Sequence, residues 1–269
     1  MKLVHITDIH LLPPGQTIHG LDPAARLNAV IDDVIARHAD AELAVFTGDL
    51  TDRGEPEAYD ILRGALQRLP MPAQLLLGNH DHRERFRAAF PDAETDDNGF
   101  VQTMRAAPGR VGRLLFLDTL EAGWSGGSYC EKRLAWLDRM LSQAPDLPVT
   151  VFMHHPPGDT GVAHFECINL HEPEPLVARL QAHPGGVRMI FIGHVHLPMA
   201  GVLAGTLPFV AGRGCTHHMV LDATARDCLW VAGGPNYSVI TLAEDRVVSI
   251  AVDMLDAPLV GKGAYPPGP

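Results

Sequence analysis

The sequence predicts an α/β protein, and three observations carry that reading. Short apolar, β-rich runs alternate with stretches whose apolar residues recur at helical spacing. One β-rich run after another ends in polar residues able to bind a metal. With 269 residues, 46% hydrophobic and 20% charged, the chain has material for a full core and is a poor candidate for disorder.

Lys2 to Thr7 alternates and favours a first strand that ends at Asp8; Leu11 to Gly20, with Pro13, Pro14 and Gly15, is a loop. Asp22-Pro23 has the form of an N-cap followed by proline at the first helical position. Leu27, Val30, Ile31, Val34 and Ile35 then keep helical register to about His38. Glu42 to Thr47 is a second strand ending in Gly48-Asp49, and Pro56 to Leu69 a helix with Tyr59, Leu62, Leu66 and Leu69 on one face. Ala73 to Leu77 is a third strand, ending in Gly78-Asn79-His80-Asp81.

A helix over Arg83 to Phe90, a strand over Arg113 to Asp118 and a helix over Glu131 to Leu141 follow. Val149 to Met153 ends in His154-His155-Pro156-Pro157, and Val187 to Ile192 in Gly193-His194-Val195-His196. Beyond these, Leu207 to Ala211, Tyr237 to Leu242 and Val247 to Val252 are expected to complete a second sheet or a hairpin. No repeat and no linker interrupts the pattern, so residues 1–260 read as one domain, with core motifs in 1–200 and a terminal β segment in 201–260. The Pro/Gly-rich tail 261–269 is expected to be poorly ordered.

Charge narrows the function classes. Lys and Arg number 21 against 32 Asp and Glu, a net charge of −11 that disfavours duplex nucleic acid, whose non-specific binding needs basic residues. The amino terminus has no signal segment, and no apolar run is long enough to cross a bilayer, so a cytoplasmic protein is expected. Cys130, Cys167, Cys215 and Cys228 form no C-x-x-C pair, which argues against a zinc ribbon or redox dithiol. The 15 histidines are the unusual feature.

Five strand ends supply Asp8 and His10, Asp49, Asn79 and His80, His154, and His194 and His196. In open α/β sheets, ligands bind beyond the carboxyl ends of strands, where residues distant in sequence converge. Aspartate, asparagine and histidine without thiolate suit Mn²⁺, Fe²⁺ or Zn²⁺. Seven donors exceed one tetrahedral ion but fit two ions sharing a carboxylate. Ions about 3.5–4 Å apart hold a bridging hydroxide and clamp the attacking and leaving oxygens of an in-line displacement. Two divalent ions outweigh two aspartates and one hydroxide, so the site attracts a phosphodiester monoanion even in an acidic protein.

The D-x-H of Asp8-Ile9-His10, the GD of Gly48-Asp49, the GNHD of Gly78 to Asp81, the HHPP of His154 to Pro157 and the GHVH of Gly193 to His196 resemble the calcineurin-like metallophosphoesterase superfamily. Each motif alone is weak; all five occur in the family's order, over about the first 200 residues. The wording HITDIH, GNHD, FMHHPP and GHVH is similar to bacterial class III cyclic nucleotide phosphodiesterases and glycerophosphodiesterases. The resemblance implies a four-layer α/β/β/α sandwich with two divalent ions at the sheet ends. It implies Asp8, His10 and His196 on the first ion, Asn79, His154 and His194 on the second, and Asp49 between them. It places His80 at the phosphate as the catalytic histidine and a substrate contact, and His155 behind the ligands. His217, in Gly214-Cys215-Thr216-His217-His218, resembles a glycerophosphodiesterase histidine near the substrate, a segment that departs more from the pattern. Homo-oligomerisation through the terminal β segment is a further implication.

Plainer readings stand beside these. A lone Asp-x-His after a strand is more often a loop cap, and Asn after Gly is favoured in turns. Asp81 reads as structural, bonding to loop amides or orienting a ligand, and Asp52 and Arg53 as surface or loop-shaping residues. His19 and His164 fall in loops on the metal-bearing edge and are secondary pocket candidates. Gly123 to Gly127 lacks the lysine of a phosphate loop and reads as a turn.

The leading functional reading is metal-dependent hydrolysis of a small phosphodiester, a 3′,5′-cyclic nucleotide or a glycerophosphodiester, by attack of a metal-bridging hydroxide. A phosphomonoesterase or nucleotide pyrophosphatase on the same dinuclear core is the alternative. From another class, a non-catalytic scaffold of this fold would be expected to have lost ligands, and none is missing.

Overall fold

The computed structural model describes residues 1–221 and 228–254. The expected tail 261–269, and the last six residues of the terminal β segment, lie outside the described residues.

The chain opens with β1 (Lys2–Ile6), α1 (Pro23–His38), β2 (Leu43–Thr47), α2 (Pro56–Leu66), β3 (Ala73–Leu76) and α3 (Arg83–Ala89). It continues with β4 (Thr103–Ala106), β5 (Arg113–Phe116), α4 (Glu131–Ser142), β6 (Val149–Phe152), α5 (Ala163–Glu166), α6 (Glu174–Ala182) and β7 (Val187–Ile192). The described remainder is β8 (Met199–Leu203), β9 (Leu207–Ala211), β10 (His218–Met219), β11 (Trp230–Val231), β12 (Asn236–Ala243) and β13 (Arg246–Asp253).

Among the described residues one sheet has the order β13-β12-β1-β2-β3 and the other β4-β5-β6-β7-β9-β8. β1, β2 and β3 run parallel, as do β5, β6, β7 and β9, so their carboxyl ends share one side. The hairpin of β12 and β13 adds antiparallel to β1, in the first sheet, whereas β9 extends the second. β10 and β11 form a separate two-stranded ribbon.

Three buried clusters define the layers. Leu27, Val30 and Ile31 of α1 and Tyr59 and Leu62 of α2 pack on Val4, Ile6 and Phe46 of the first sheet. Leu134 and Leu137 of α4 and Leu176 and Leu180 of α6 cover Leu115, Val151 and Ile190 of the second. Between the sheets lie Leu3, Val45, Leu76, Phe116, Phe152, Phe191 and Ile240. The result is the α/β/β/α sandwich. Strands buried on both faces explain why these segments read as near-continuous apolar runs.

Local chemistry sets the element ends. Asp22 caps α1, its carboxylate accepting from Ala25 N at 3.1 Å. α2 stops at Leu66, three residues before the expected Leu69: Arg68 and Leu69 donate three residues back, a tightened turn, and Leu69 precedes Pro70, which disfavours helical backbone. β5 ends at Phe116 because Asp118 leaves the ladder to accept from Val101 N, Leu120 N and the Arg83 guanidinium at 2.8–3.0 Å. The helix α6 escaped the sequence reading because Pro173 and Pro175 look like breakers, yet proline in a first turn costs no hydrogen bond.

Phe152 is fully buried between the sheets, stacked at 17° on Phe116 (5.2 Å) and Phe191 (5.1 Å). Phe152→Ala opens a cavity there and is expected to lower stability by about 3–5 kcal/mol, measured as a fall in the urea midpoint at constant m.

Candidate metal centre

The parallel strands of both sheets deliver their polar ends to one place. Asp8 and His10 follow β1, Asp49 follows β2, and Asn79 and His80 follow β3; His154 follows β6, and His194 and His196 follow β7. Five of these take a left-handed backbone: Asp8 (φ 52°), His10 (44°), Asp49 (48°), His194 (70°) and His196 (50°). That conformation is costly for residues with a Cβ and persists only where surroundings impose it. Here Asp8 N donates to Gly48 O at 3.1 Å, His10 N to Asp49 O at 2.9 Å, and His194 N to the Asp8 carboxylate at 3.0 Å.

The glycines before the donors are needed for close approach. A Cβ at Gly78 would overlap the Asp49 carboxylate and the His154 ring, and one at Gly193 would overlap the Thr7 hydroxyl.

Two donor groups meet at Asp49. Donor atoms of Asp8, His10, Asp49 and His196 all lie within 4.8 Å of one another. His10 Nε2 and His196 Nε2 face each other at 3.2 Å, with Asp49 Oδ2 3.6 Å from His10 Nε2. On the other side Asp49 Oδ2 is 3.4 Å from His154 Nε2, which is 3.2 Å from Asn79 Oδ1. The His194 ring lies 5.1 Å from that of His154, and its Nε2 is buried without a hydrogen-bond partner. One carboxylate oxygen thus serves both groups.

The imidazoles are oriented from behind. His154 Nδ1 donates to Thr47 O at 2.8 Å, His196 Nδ1 to His217 O at 2.9 Å, and His10 Nδ1 to Asp52 Oδ1 at 3.3 Å. With Nδ1 committed to these acceptors, each ring turns its Nε2 toward the centre, where loss of its proton leaves the lone pair that metal-binding histidines need. Ring nitrogens facing each other at 3.2 Å, an unpartnered buried nitrogen and a carboxylate between them fit divalent cations, and no cysteine is among these donors.

Electrostatics support this. Burial opposes ionisation of Asp49, but His154, His80 and His10 outweigh it and hold its carboxyl well below the usual range. Burial also penalises charge on His154, yet Asp49 overcomes it and raises the imidazole to about 9. Without cations this ion pair stabilises the fold fully below the unfolded-histidine pKa near 6.5 and loses its contribution as pH rises through about 9. Burial, then the charge of His154, pushes His194 well down, so it is a neutral donor.

Asp81 ties the loops together as expected of a structural residue. Its carboxylate accepts from Leu50 N, Thr51 N and Gly78 N at 3.0–3.1 Å, and from the Thr51 and Tyr59 hydroxyls, bonding the loop after β2 to the loop after β3. Asp52, read from sequence as surface or loop-shaping, is instead the acceptor behind His10, and its carbonyl takes the His80 Nδ1 proton at 2.8 Å. His155 lies behind the donors with its Nδ1 2.8 Å from the Thr119 hydroxyl.

The centre opens into a cleft of about 200 Å³. His80, 40% exposed, lines it with His217, His19 and His164. His217 is buried with Nδ1 unpartnered; burial, then its histidine neighbours, drives its pKa far down and keeps it neutral. Trp230, Phe165 and Ile18 also line the cleft and carried no motif in the sequence. Ser125, from the glycine-rich turn, reaches it too.

The family model described as "Calcineurin-like phosphoesterase" matches residues 1–198. A Rhodopseudomonas palustris protein named "Probable cyclic nucleotide phosphodiesterase" is 38% identical over 96% of this chain and 95% of its own length. An Enterobacter lignolyticus glycerophosphodiester phosphodiesterase is 35% identical over 73% of this chain and 71% of its own. The fold is shared with a dimetal phosphatase from Danio rerio, at TM-score 0.68 and 14% identity, over 95% of this chain and 96% of that one. The family match runs from the first strand through the last of the five motifs, and the chain belongs to the calcineurin-like phosphoesterase family.

Proposed function

We propose that this protein hydrolyses a small phosphodiester at a dinuclear centre, with Asp8, His10 and His196 on one divalent cation, Asn79, His154 and His194 on the other, and Asp49 shared. The observation that carries the reading is Asp49 Oδ2 standing 3.6 Å from His10 Nε2 and 3.4 Å from His154 Nε2. Relatives named for cyclic nucleotide and glycerophosphodiester hydrolysis support the substrate class. The nitrogen and oxygen donors suit Mn²⁺, Fe²⁺ or Zn²⁺. Four free cysteines fit a reducing, cytoplasmic setting.

Bound divalent ions supply Lewis acidity and make a nucleophile from water at neutral pH. Asp49 keeps the two positions at a fixed spacing, and Thr47 O, His217 O and Asp52 hold the imidazole rings in register. His80 is anchored through its backbone, N–H to Asp49 Oδ1 at 2.9 Å, and through Nδ1 to Asp52 O. That leaves Nε2 for the substrate, where in protonated form it donates to the leaving oxygen. Neutral His217 contacts a phosphate oxygen by hydrogen bond. Full retention of the donors gives the scaffold reading no support.

Asp49→Ala removes the shared oxygen; purified protein is expected to retain under one ion per chain by elemental analysis and to lose at least about 10³-fold in kcat/KM on bis(p-nitrophenyl) phosphate. Full metal content in this variant contradicts the assignment.

His80→Ala should depend on the leaving group. An alkoxide needs the proton, so kcat on glycerophosphoethanolamine falls about 10²–10³-fold, while p-nitrophenolate leaves with a much smaller loss. Equal losses on both substrates remove the acid role.

Cation affinity should rise with pH and level off above about 9, because loading displaces the proton His154 carries beside Asp49. Calorimetry in buffers of different ionisation enthalpy reads that proton release; affinity independent of pH below 9 contradicts it.

A further inference from the structure

The geometry points to Trp230 as the surface on which the base of a nucleoside 3′,5′-cyclic phosphate stacks, making this chain selective for cyclic nucleotides over glycerophosphodiesters. The inference rests on the phosphodiesterase reading and names the substrate class of the same site.

The ribbon of β10 and β11 brings Trp230 to the cleft wall beside the first donor group. Its indole stands edge-on to His217, centroids 4.7 Å apart at 84°, and 5.2 Å from the His196 ring. His19 is stacked against it, nearly parallel at 25° with centroids 5.8 Å apart, so imidazole and indole form an aromatic pair on that wall. Ile18 adds apolar area on the same wall. Beside the second donor group Phe165 approaches the His194 ring to 5.3 Å, with Ile168 next to it in the cleft. A phosphodiester centred on the cations thus has its substituents between apolar and aromatic walls.

Glycerol and ethanolamine are small and strongly hydrated, and such walls offer them little. A nucleobase has a flat face that aromatic side chains bind whatever its edge chemistry. Trp230 is only half-buried, so its ring still has surface to give.

The test compares wild type, Trp230→Ala and Trp230→Phe, each loaded with Mn²⁺, on 3′,5′-cyclic AMP, glycerophosphoethanolamine and glycerophosphocholine. In Trp230→Ala the kcat/KM ratio of cyclic AMP to glycerophosphoethanolamine is expected to fall about tenfold, mostly through KM, and Trp230→Phe to recover most of it. An unchanged ratio in an active Trp230→Ala enzyme overturns the assignment, as does an equal loss on all three substrates, the signature of a structural role. A fall confined to glycerophosphocholine overturns it in favour of a quaternary ammonium on the indole. A wild type inactive on every diester defeats the phosphodiesterase reading itself, a result distinct from the others.

Discussion

The site is organised by a carboxylate that two groups of donors must share. Asp49 is almost fully buried, and one of its oxygens faces imidazoles on both sides while the other accepts the His80 amide. A buried charge of this kind is tolerable only among partners. Much of the surrounding structure serves to place it: the left-handed turn after β2, the bare Cα of Gly78 that lets the next loop approach, and the Asp81 carboxylate that fastens both loops by their amides. Moving any of these moves the shared oxygen relative to His10 and His154.

Strain is concentrated at the same place. Five of the seven proposed donors sit in backbone conformations that residues with a Cβ avoid, all just beyond parallel strands. These turns carry Asp8 and His10, and likewise His194 and His196, toward the same centre, each pair two residues apart, as side chains sharing one face of a strand are. The two sheets with their aromatic seam provide the base from which such turns can be held.

The helices and inner strands were legible because burial on one or both faces writes a period into the chain, as in Leu27 to Val34 or Val149 to Phe152. The edge strand β4 carries little apolar sequence and was not seen, nor was β8, whose apolar residues are partly exposed and interrupted by Gly201, and the prolines around α6 masked a helix that Leu176, Val177 and Leu180 would otherwise have announced. The proposed donors were legible because residue types suited to metals stand together at strand ends. Asp52 and Trp230 were not, since a hydrogen bond behind an imidazole, or an indole brought in by a distant ribbon, leaves no mark in local spacing.

The donors of each proposed cation come from both halves of the sandwich. Asp8, His10 and Asp49 from one sheet meet His196 from the other, and Asp49 and Asn79 meet His154 and His194. Bound ions would then act as rivets through the seam, resisting shear between two layers otherwise joined by side-chain contact, hydrogen bonds and the Arg83–Asp118 ion pair. Catalytic competence and mechanical cohesion of the two halves become one property, and the stripped protein should exchange its central-strand amides faster than the charged one.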